Sequence, residues 1–457
     1  MKKFLHYSIS IAINIIIAVV FYELILQIIP VIYRNLPVAN DKIYVYVLGE
    51  SSAWGQPYQS KISYSKIIAY MLDNKLDGKE MEFRVFASPG SSLMEQYKKY
   101  FIYKYLHPFR KGIVLLYIGT NDWSNKDNYA DYDRFINFVI VDFINTYLKN
   151  VTDFKYEYEK ILLLSKKFGD EAYASTIAGN YAGFMPNNIV SLVYNPPLKE
   201  KIDKIDDLIF LGSYDDAMKQ CSELLKTNED KSQILYRIGK IYEKQGKIKD
   251  ANEAFLHAVD FEWDARPTKY QNNVILNLAA KYNVPVTDIF KKLYDSNEII
   301  GYNFFADKIH PSVKLNSFIA EGFVGLLAGK YNADIINKDL SDEKILRVCN
   351  FTKEDLFFQY AESIREVFMY SYIDGIICRY NFDIMEKYIC DMKKLNIDAY
   401  ENKQYIILCE KLFHHLRGDN IDINELLNVN ESLKSKFPDK KLHFDIFYNW
   451  IKKRIKK

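Results

Sequence analysis

Short continuous apolar runs alternate along the chain with segments in which apolar residues recur at helical spacing. Five of the runs predict β-strands: Ile43–Leu48, Phe83–Ala87, Ile113–Ile118, Val190–Tyr194 and Val284–Ile289. Helices are predicted between the early strands at Tyr64–Leu76 and Leu93–Leu106, and Pro108 follows the second of them. Strands separated by helices predict an α/β fold with a doubly wound, parallel five-stranded sheet, and ligands bind beyond the carboxyl ends of such strands.

The N-terminal 40 residues predict a membrane anchor. Residues 4–33 are almost wholly apolar and follow Lys2 and Lys3. Roughly 20 apolar residues cross a bilayer, whereas the apolar region of a cleaved signal peptide has about 7–15. We therefore predict an uncleaved single-pass anchor over residues 1–40, with the lysines in the cytoplasm and the remaining chain outside it. A signal peptide and a buried first helix remain alternatives, and Glu23 favours the latter because a carboxylate within a membrane is costly.

An internal repeat predicts a helical insert at residues 200–259. Residues 212–217 match residues 246–251, which lie 34 positions further along the chain, and small and aromatic residues follow in the tetratricopeptide pattern. Two repeats are too few for a free-standing solenoid, so the insert should pack on the sheet or on neighbouring helices. It could recruit a protein partner. An ordinary helical hairpin is the alternative interpretation.

The remaining chain divides into two predicted parts. Residues 41–199 and 260–332 form the α/β domain around the insert. Residues 340–457 are poor in Gly and Pro and predict a separate C-terminal helical domain without a catalytic constellation. The pair His414 and His415 is interpreted as surface residues.

Charge and cysteine content narrow the classes of function. The net charge of +2 over 457 residues gives no reason to expect a nucleic-acid partner. Five cysteines without metal-binding spacing predict buried thiols, although one disulfide among the last four remains possible. We expect neither a metal nor a cofactor.

Two segments carry candidate chemistry. Ser51 directly follows the first predicted strand, and Asp307 precedes His310 by three residues. A serine hydroxyl is a poor nucleophile that needs a base to take its proton, and the base needs an acceptor that fixes its tautomer. The residues therefore indicate a Ser-His-Asp hydrolase.

Four sequence blocks in order resemble those of the SGNH/GDSL hydrolase superfamily, and more narrowly its membrane-anchored bacterial members with tetratricopeptide repeats. The blocks are Gly49-Glu50-Ser51 through Gly55, the lone Gly90, Gly119-Thr120-Asn121-Asp122, and Asp307 through Pro311. The resemblance covers residues 43–199 and 260–328, and it implies a flavodoxin-like sheet. Glu50 departs from the family pattern, which has Asp before the serine.

The resemblance implies a role for each matching residue. Ser51 is the expected nucleophile, His310 the base and Asp307 its orienting acid. The expected oxyanion hole combines the backbone N–H groups of Ser51 and Gly90 with the side-chain amide of Asn121.

The expected function is an extracytoplasmic serine esterase that removes acyl groups, acetyl foremost, from an envelope polysaccharide or lipid. Arg266 is a further candidate that could bind an anionic substrate group, and a surface ion pair is the alternative for it. An acyltransferase that uses the same groups remains open, as does an inactive membrane-tethered scaffold.

Overall fold

The computed structural model describes most of the chain. The described residues are 2–35, 41–121, 154–186, 192, 194–226, 230–261, 266–373, 376–397, 400–419, 422–436, 444–445, 448–449 and 451–452.

A six-stranded sheet forms the centre of the α/β part. Its strands are β1 (Lys42–Gly49), β2 (Lys75–Leu76), β3 (Lys79–Val85), β4 (Gly112–Tyr117), β5 (Glu171–Ser175) and β6 (Val286–Thr287). The spatial order is β2-β3-β1-β4-β5-β6, and every neighbouring pair except β2 with β3 is parallel. The predicted α/β class is confirmed. The sheet has one strand more than expected, because a tight turn after β2 adds it to the edge as an antiparallel strand.

The central strand β1 is a continuous apolar run because it is covered on both faces. Val45 pairs with Phe83 in β3 and with Ile113 in β4, so β1 has neighbours on both sides. Its residues 45–48 are buried on both faces. A strand covered on both faces needs a continuous apolar run and not an alternating one.

Several expected elements differ from the structure. The strand predicted at Phe83–Ala87 is Lys79–Val85, and the one predicted at Val284–Ile289 is Val286–Thr287. The helix predicted over Tyr64–Leu76 ends at Met71, because Asp73 and Asn74 adopt positive φ angles and turn the chain into β2. The strand predicted at Val190–Tyr194 lies largely outside the described residues, and β5 follows β4 in the sheet instead.

Seventeen helices are described, and they are numbered here in chain order. They are α1 (Lys2–Asn35), α2 (Ser51–Trp54), α3 (Tyr64–Met71), α4 (Leu93–Leu106), α5 (Phe154–Phe168), α6 (Pro196–Phe210), α7 (Tyr214–Lys226), α8 (Lys231–Lys244), α9 (Ile248–Asp260), α10 (Lys269–Tyr282), α11 (Ile289–Asp295), α12 (Val313–Tyr331), α13 (Asp342–Val348), α14 (Lys353–Ser371), α15 (Phe382–Lys394), α16 (Tyr400–Leu416) and α17 (Ile423–Lys436). A 3₁₀ turn (Arg379–Asn381) and the two-stranded ribbon β7 (Tyr372–Ile373) and β8 (Ile376–Ile377) lie between α14 and α15.

Helices α6 to α9 form the insert, and they pack on the loop that follows β5. The Tyr236 hydroxyl donates to the carbonyl of Ala182 at 2.9 Å. Within the insert, a Cβ added to Gly239 would lie 2.5 Å from the ring of Phe255, so the glycine lets α8 approach α9 closely. Nζ of Lys269, on the flanking helix α10, donates to Oε1 of Glu253 on α9 at 2.7 Å, so the predicted packing on flanking helices is observed. Membership of the tetratricopeptide class stays a prediction.

The C-terminal helices have a hydrophobic cluster of their own. It joins side chains of α14 to α17, and Phe184 from the loop after β5 is part of it. The cluster therefore continues into the α/β part. All five cysteines are free thiols, so the possible disulfide is not formed.

The first helix is long and apolar enough to cross a membrane, by length and composition. Its residues 11–22 are exposed, which contradicts the alternative of a buried first helix. Membrane topology stays a prediction.

Candidate active site

Ser51 lies at a tight turn between β1 and the one-turn helix α2. Glu50 caps that helix in an extended conformation. Gly49 allows the turn, because a Cβ there would lie 2.2 Å from the Cβ of Ala53 and 2.7 Å from the carbonyl oxygen of Tyr117. The turn leaves Ser51 only 4% exposed, at the carboxyl end of the central strand.

A hydrogen-bonded relay connects Ser51 with the two residues predicted to act with it. The Oγ of Ser51 lies 2.8 Å from Nε2 of His310, and Nδ1 of the same imidazole lies 2.6 Å from Oδ2 of Asp307. The second contact assigns the Nδ1 proton to the carboxylate side, which leaves Nε2 as the acceptor for the serine proton. The structure thus joins residues that are 259 positions apart in the chain.

The backbone around Asp307 fixes the imidazole. Oδ1 of Asp307 accepts hydrogen bonds from the N–H groups of Ile309, at 3.0 Å, and His310, at 2.9 Å. The N–H of Ala306 donates to the carbonyl of His310 at 2.9 Å and closes the loop. Oδ1 of Asp307 therefore holds the loop, and Oδ2 holds the imidazole ring.

The charge of the pair follows from these contacts. Burial alone would raise the pKa of Asp307, but His310 and the backbone N–H groups outweigh burial and lower it. Burial alone would lower the pKa of His310, but the Asp307 carboxylate outweighs it and raises that pKa, helped by Glu366 and Glu362. Asp307 is therefore ionised, and the imidazole is a stronger base than an isolated histidine.

The loops that carry Gly90 and Asn121 contact each other after the carboxyl ends of β3 and β4. Nδ2 of Asn121 donates to the carbonyl of Ser91 at 3.0 Å, which ties the loop after β4 to the loop after β3. Gly90 has a φ of +72°, and no described atom lies within 4 Å of the position that a Cβ would take. The backbone at Gly90 is therefore open to an approaching group.

Glu50, the departure from the family pattern, has a defined place. Its buried carboxylate accepts from the N–H of Gly119 at 2.8 Å, and from the N–H and hydroxyl of Thr120 at 3.4 and 3.0 Å. The side chain therefore holds the turn that precedes Asn121. Asp122 lies outside the described residues.

The neighbouring Ser52 has a different orientation from Ser51. Its buried hydroxyl donates to the carbonyl of Ile309 at 3.3 Å. Ser52 thus supports the loop that carries His310.

The C-terminal helices contact the same loop, which the sequence did not predict. The Tyr388 hydroxyl of α15 donates to the carbonyl of Ala306 at 2.7 Å. Nζ of Lys308 lies 4.8 Å from the ring centroid of Tyr370, at the end of α14. Glu362 and Glu366 lie on α14, so this packing also brings close to His310 the two negative charges that help raise its pKa. Such long-range packing leaves no local signal in the sequence.

Arg266 is not placed as the sequence suggested. The side chain is buried, with 2% of the residue exposed, and Nη1 donates to the carbonyls of Asn180, Tyr181 and Phe184 at 2.9, 3.3 and 2.9 Å. The side chain is therefore not on the surface, because the loop after β5 turns its carbonyls inward around the guanidinium. In that loop the N–H of Asn180 donates to the carbonyl of Lys308.

The described side chains suit nucleophilic attack by a serine hydroxyl. Among the described residues, no group of three or more His, Cys, Asp or Glu side chains could hold a metal ion. The relay itself places a hydroxyl, an imidazole and a carboxylate in hydrogen-bond contact.

The comparisons with known proteins are sparse. No family model and no curated protein matches the chain. Among solved structures, the chain is similar to a crystal structure of an acetyl xylan esterase, with 14% identity and a TM-score of 0.32, over 62% of this chain and 99% of that one. A similarity this low assigns neither the fold nor the activity of this chain.

Proposed function

We propose that the protein is a serine esterase of the SGNH type that removes O-acyl groups, acetyl foremost, from a cell-envelope substrate outside the cytoplasm. The single observation that carries the proposal is the relay of Ser51, His310 and Asp307, with contacts of 2.8 and 2.6 Å. Its position at the carboxyl ends of parallel strands is where α/β sheets bind ligands.

The proposed reaction has two halves. The Oγ of Ser51 attacks the ester carbonyl, and its proton passes to Nε2 of His310. The tetrahedral intermediate collapses, the C–O bond to the alcohol breaks, and the imidazolium protonates the departing alcohol. In the second half His310 takes a proton from water, whose oxygen attacks the acyl carbon. The bond between that carbon and Oγ of Ser51 then breaks, the imidazolium returns its proton to Oγ, and the carboxylic acid leaves.

The negative oxygen of each intermediate needs preorganised donors. In the proposal these are the N–H groups of Ser51 and Gly90 and an amide N–H of Asn121. The amide nitrogen carries two hydrogens, and one bond goes to the carbonyl of Ser91. The contact between the Asn121 and Gly90 loops supports assigning both residues to one oxyanion hole. Each such donor contributes about 3 kcal/mol in the transition state.

Hydrolysis of a small acetyl ester by matched serine variants tests the proposal. Ser51→Ala should abolish hydrolysis, whereas Ser52→Ala should retain most of it, because the Ser52 hydroxyl contacts a backbone carbonyl at 3.3 Å and the Ser51 hydroxyl contacts the imidazole. Activity that persists in purified Ser51→Ala, or equal losses in the two variants, would overturn the assignment.

A further inference from the structure

The last third of α1 lies against the body of the protein. The Tyr105 hydroxyl donates to the carbonyl of Leu26 at 3.4 Å, and Nζ of Lys167 donates to Oε1 of Gln27 at 3.1 Å. Both partners stand at the C-terminal ends of their helices, α4 and α5. Helix α1 is therefore docked where these two helices end.

The end of α1 continues the contact. The ring of Tyr33 packs edge-on against Phe109 with 4.0 Å between centroids. Nζ of Lys111 donates to the carbonyl of Arg34 at 2.6 Å. The docked segment is thus held by ring packing and by hydrogen bonds, which fixes the body relative to the helix.

This contact lies at the amino ends of the parallel strands. Lys111 directly precedes β4, and Gly169, where a Cβ would lie 2.9 Å from Cγ of Arg34, precedes β5. Ser51 and Thr120 follow the opposite, carboxyl ends of β1 and β4. The eight residues of β1 span about 26 Å, so Ser51 and the docked helix lie at opposite ends of the sheet.

The rest of α1 leaves the body. Residues 11–22 are exposed, and the Oε1 of Glu23 accepts from the Gln27 amide at 2.7 Å beside the docked segment. The apolar stretch 4–22 is about 28 Å long at a rise of 1.5 Å per residue, close to the ~30 Å hydrocarbon core of a bilayer. Glu23 therefore marks the boundary between the free and the docked part.

The body exposes apolar side chains at this same end. Leu106 is 70% and Phe109 51% exposed, and Ile102 lies one turn before Leu106 on α4. The basic residues Lys111 and Lys167, which donate to the docked part of α1, lie at the same end of the sheet. Apolar and aromatic side chains together with basic ones suit the interface of a bilayer with anionic lipids.

We propose that the docked helix holds the body with this end on the bilayer and with the candidate site facing away from it, so that the substrate is an acyl ester on an extended polymer above the membrane and not on a bilayer lipid. The inference rests on the proposed esterase function for its chemistry. Its geometry rests on the docking of α1 and on the exposed apolar side chains at the same end of the protein.

Fluorescence resonance energy transfer to the membrane, from a dye placed before α4 or at its last residue, tests the orientation. The full chain would carry a donor dye at Pro89→Cys, beside Gly90, or at Leu106→Cys. Both would be made in a background with Cys349→Ala and Cys390→Ser, because these two are the cysteines that are not buried. The protein would be placed in lipid nanodiscs of phosphatidylglycerol and phosphatidylcholine with acceptor dyes on the headgroups.

Transfer should be several-fold higher from position 106 than from position 89, since helix α4, which lies between them, is about 21 Å long. Equal transfer, or stronger transfer from position 89, would overturn the orientation.

A second arm tests the substrate. The wild-type protein in the same nanodiscs should deacetylate a soluble acetylated oligosaccharide several-fold faster than an acetylated glycolipid in the disc. A preference for the glycolipid would contradict the inference. If the wild-type protein deacetylates neither substrate while the energy-transfer ratio is as predicted, the esterase function is contradicted and the orientation is supported.

Discussion

The carboxylate of Glu50 accepts a hydrogen bond from the N–H of Gly119 at 2.8 Å, and so couples the residue before the candidate nucleophile to the turn before Asn121. The two segments lie 69 positions apart in the chain. A positional error of about 1 Å in a catalytic group can lower a rate 100-fold, so this coupling should matter for turnover.

We predict that Glu50→Ala lowers kcat on a small acetyl ester by about 100-fold, the loss expected from a displaced oxyanion donor. Glu50→Asp should lose less, because its carboxylate still lies in the same pocket but is one methylene shorter. Steady-state kinetics of the two variants check this order. Wild-type turnover in Glu50→Ala would show that the contact has no part in catalysis.

Replacing Asp307 by Asn should lower turnover by about 10⁴-fold, because the amide favours the wrong tautomer of His310. The Oδ1 contacts with the backbone N–H groups can persist in the variant, so the thermal unfolding midpoint should change little. Turnover and the thermal unfolding midpoint are measured on the same purified variant. Full activity would require another acid, with Asp122 the next candidate.

The pH dependence of kcat/KM should report His310. Only the neutral imidazole accepts a proton, so activity should rise with pH through the His310 pKa, which lies above its ordinary value of 6.5. Glu362 and Glu366 favour the imidazolium and help raise this pKa. The double variant Glu362→Gln, Glu366→Gln should therefore move the profile to lower pH.

The matched control for that measurement is Glu354→Gln, an exposed glutamate on the same helix. It should leave the profile in place. A double variant whose profile stays at the wild-type position would show that α14 does not act on the imidazole.

The local parts of this structure were readable in the sequence, and the long-range parts were not. The Asp307-to-His310 spacing suffices for contact within one turn, and the apolar run before Ser51 marks a strand covered on both faces. Strand β5 was missed because Glu171–Ser175 has no β-branched residue and is short. The packing of α14 and α15 beside His310 depends on residues far apart in the chain, which no local pattern encodes.

The burial of Arg266 by the loop after β5 is another long-range contact that no local sequence pattern predicts. Arg266→Lys should lower the free energy of unfolding by about 2 kcal/mol, because buried hydrogen bonds from a charged group are lost. It should leave KM unchanged, since the side chain contacts backbone carbonyls. Denaturant unfolding and kinetics, with the exposed Arg84→Lys as control, separate these effects. A raised KM at unchanged stability would restore the substrate-binding interpretation.

The central claim is that Ser51 is an activated nucleophile. The most direct measurement is labelling of the full chain with a fluorophosphonate, followed by peptide mass spectrometry to locate the adduct. We predict a single phosphonylated residue, Ser51, with labelling that is lost in Ser51→Ala and strongly slowed in His310→Ala. An unlabelled wild-type protein, or an adduct on another serine, would contradict the account.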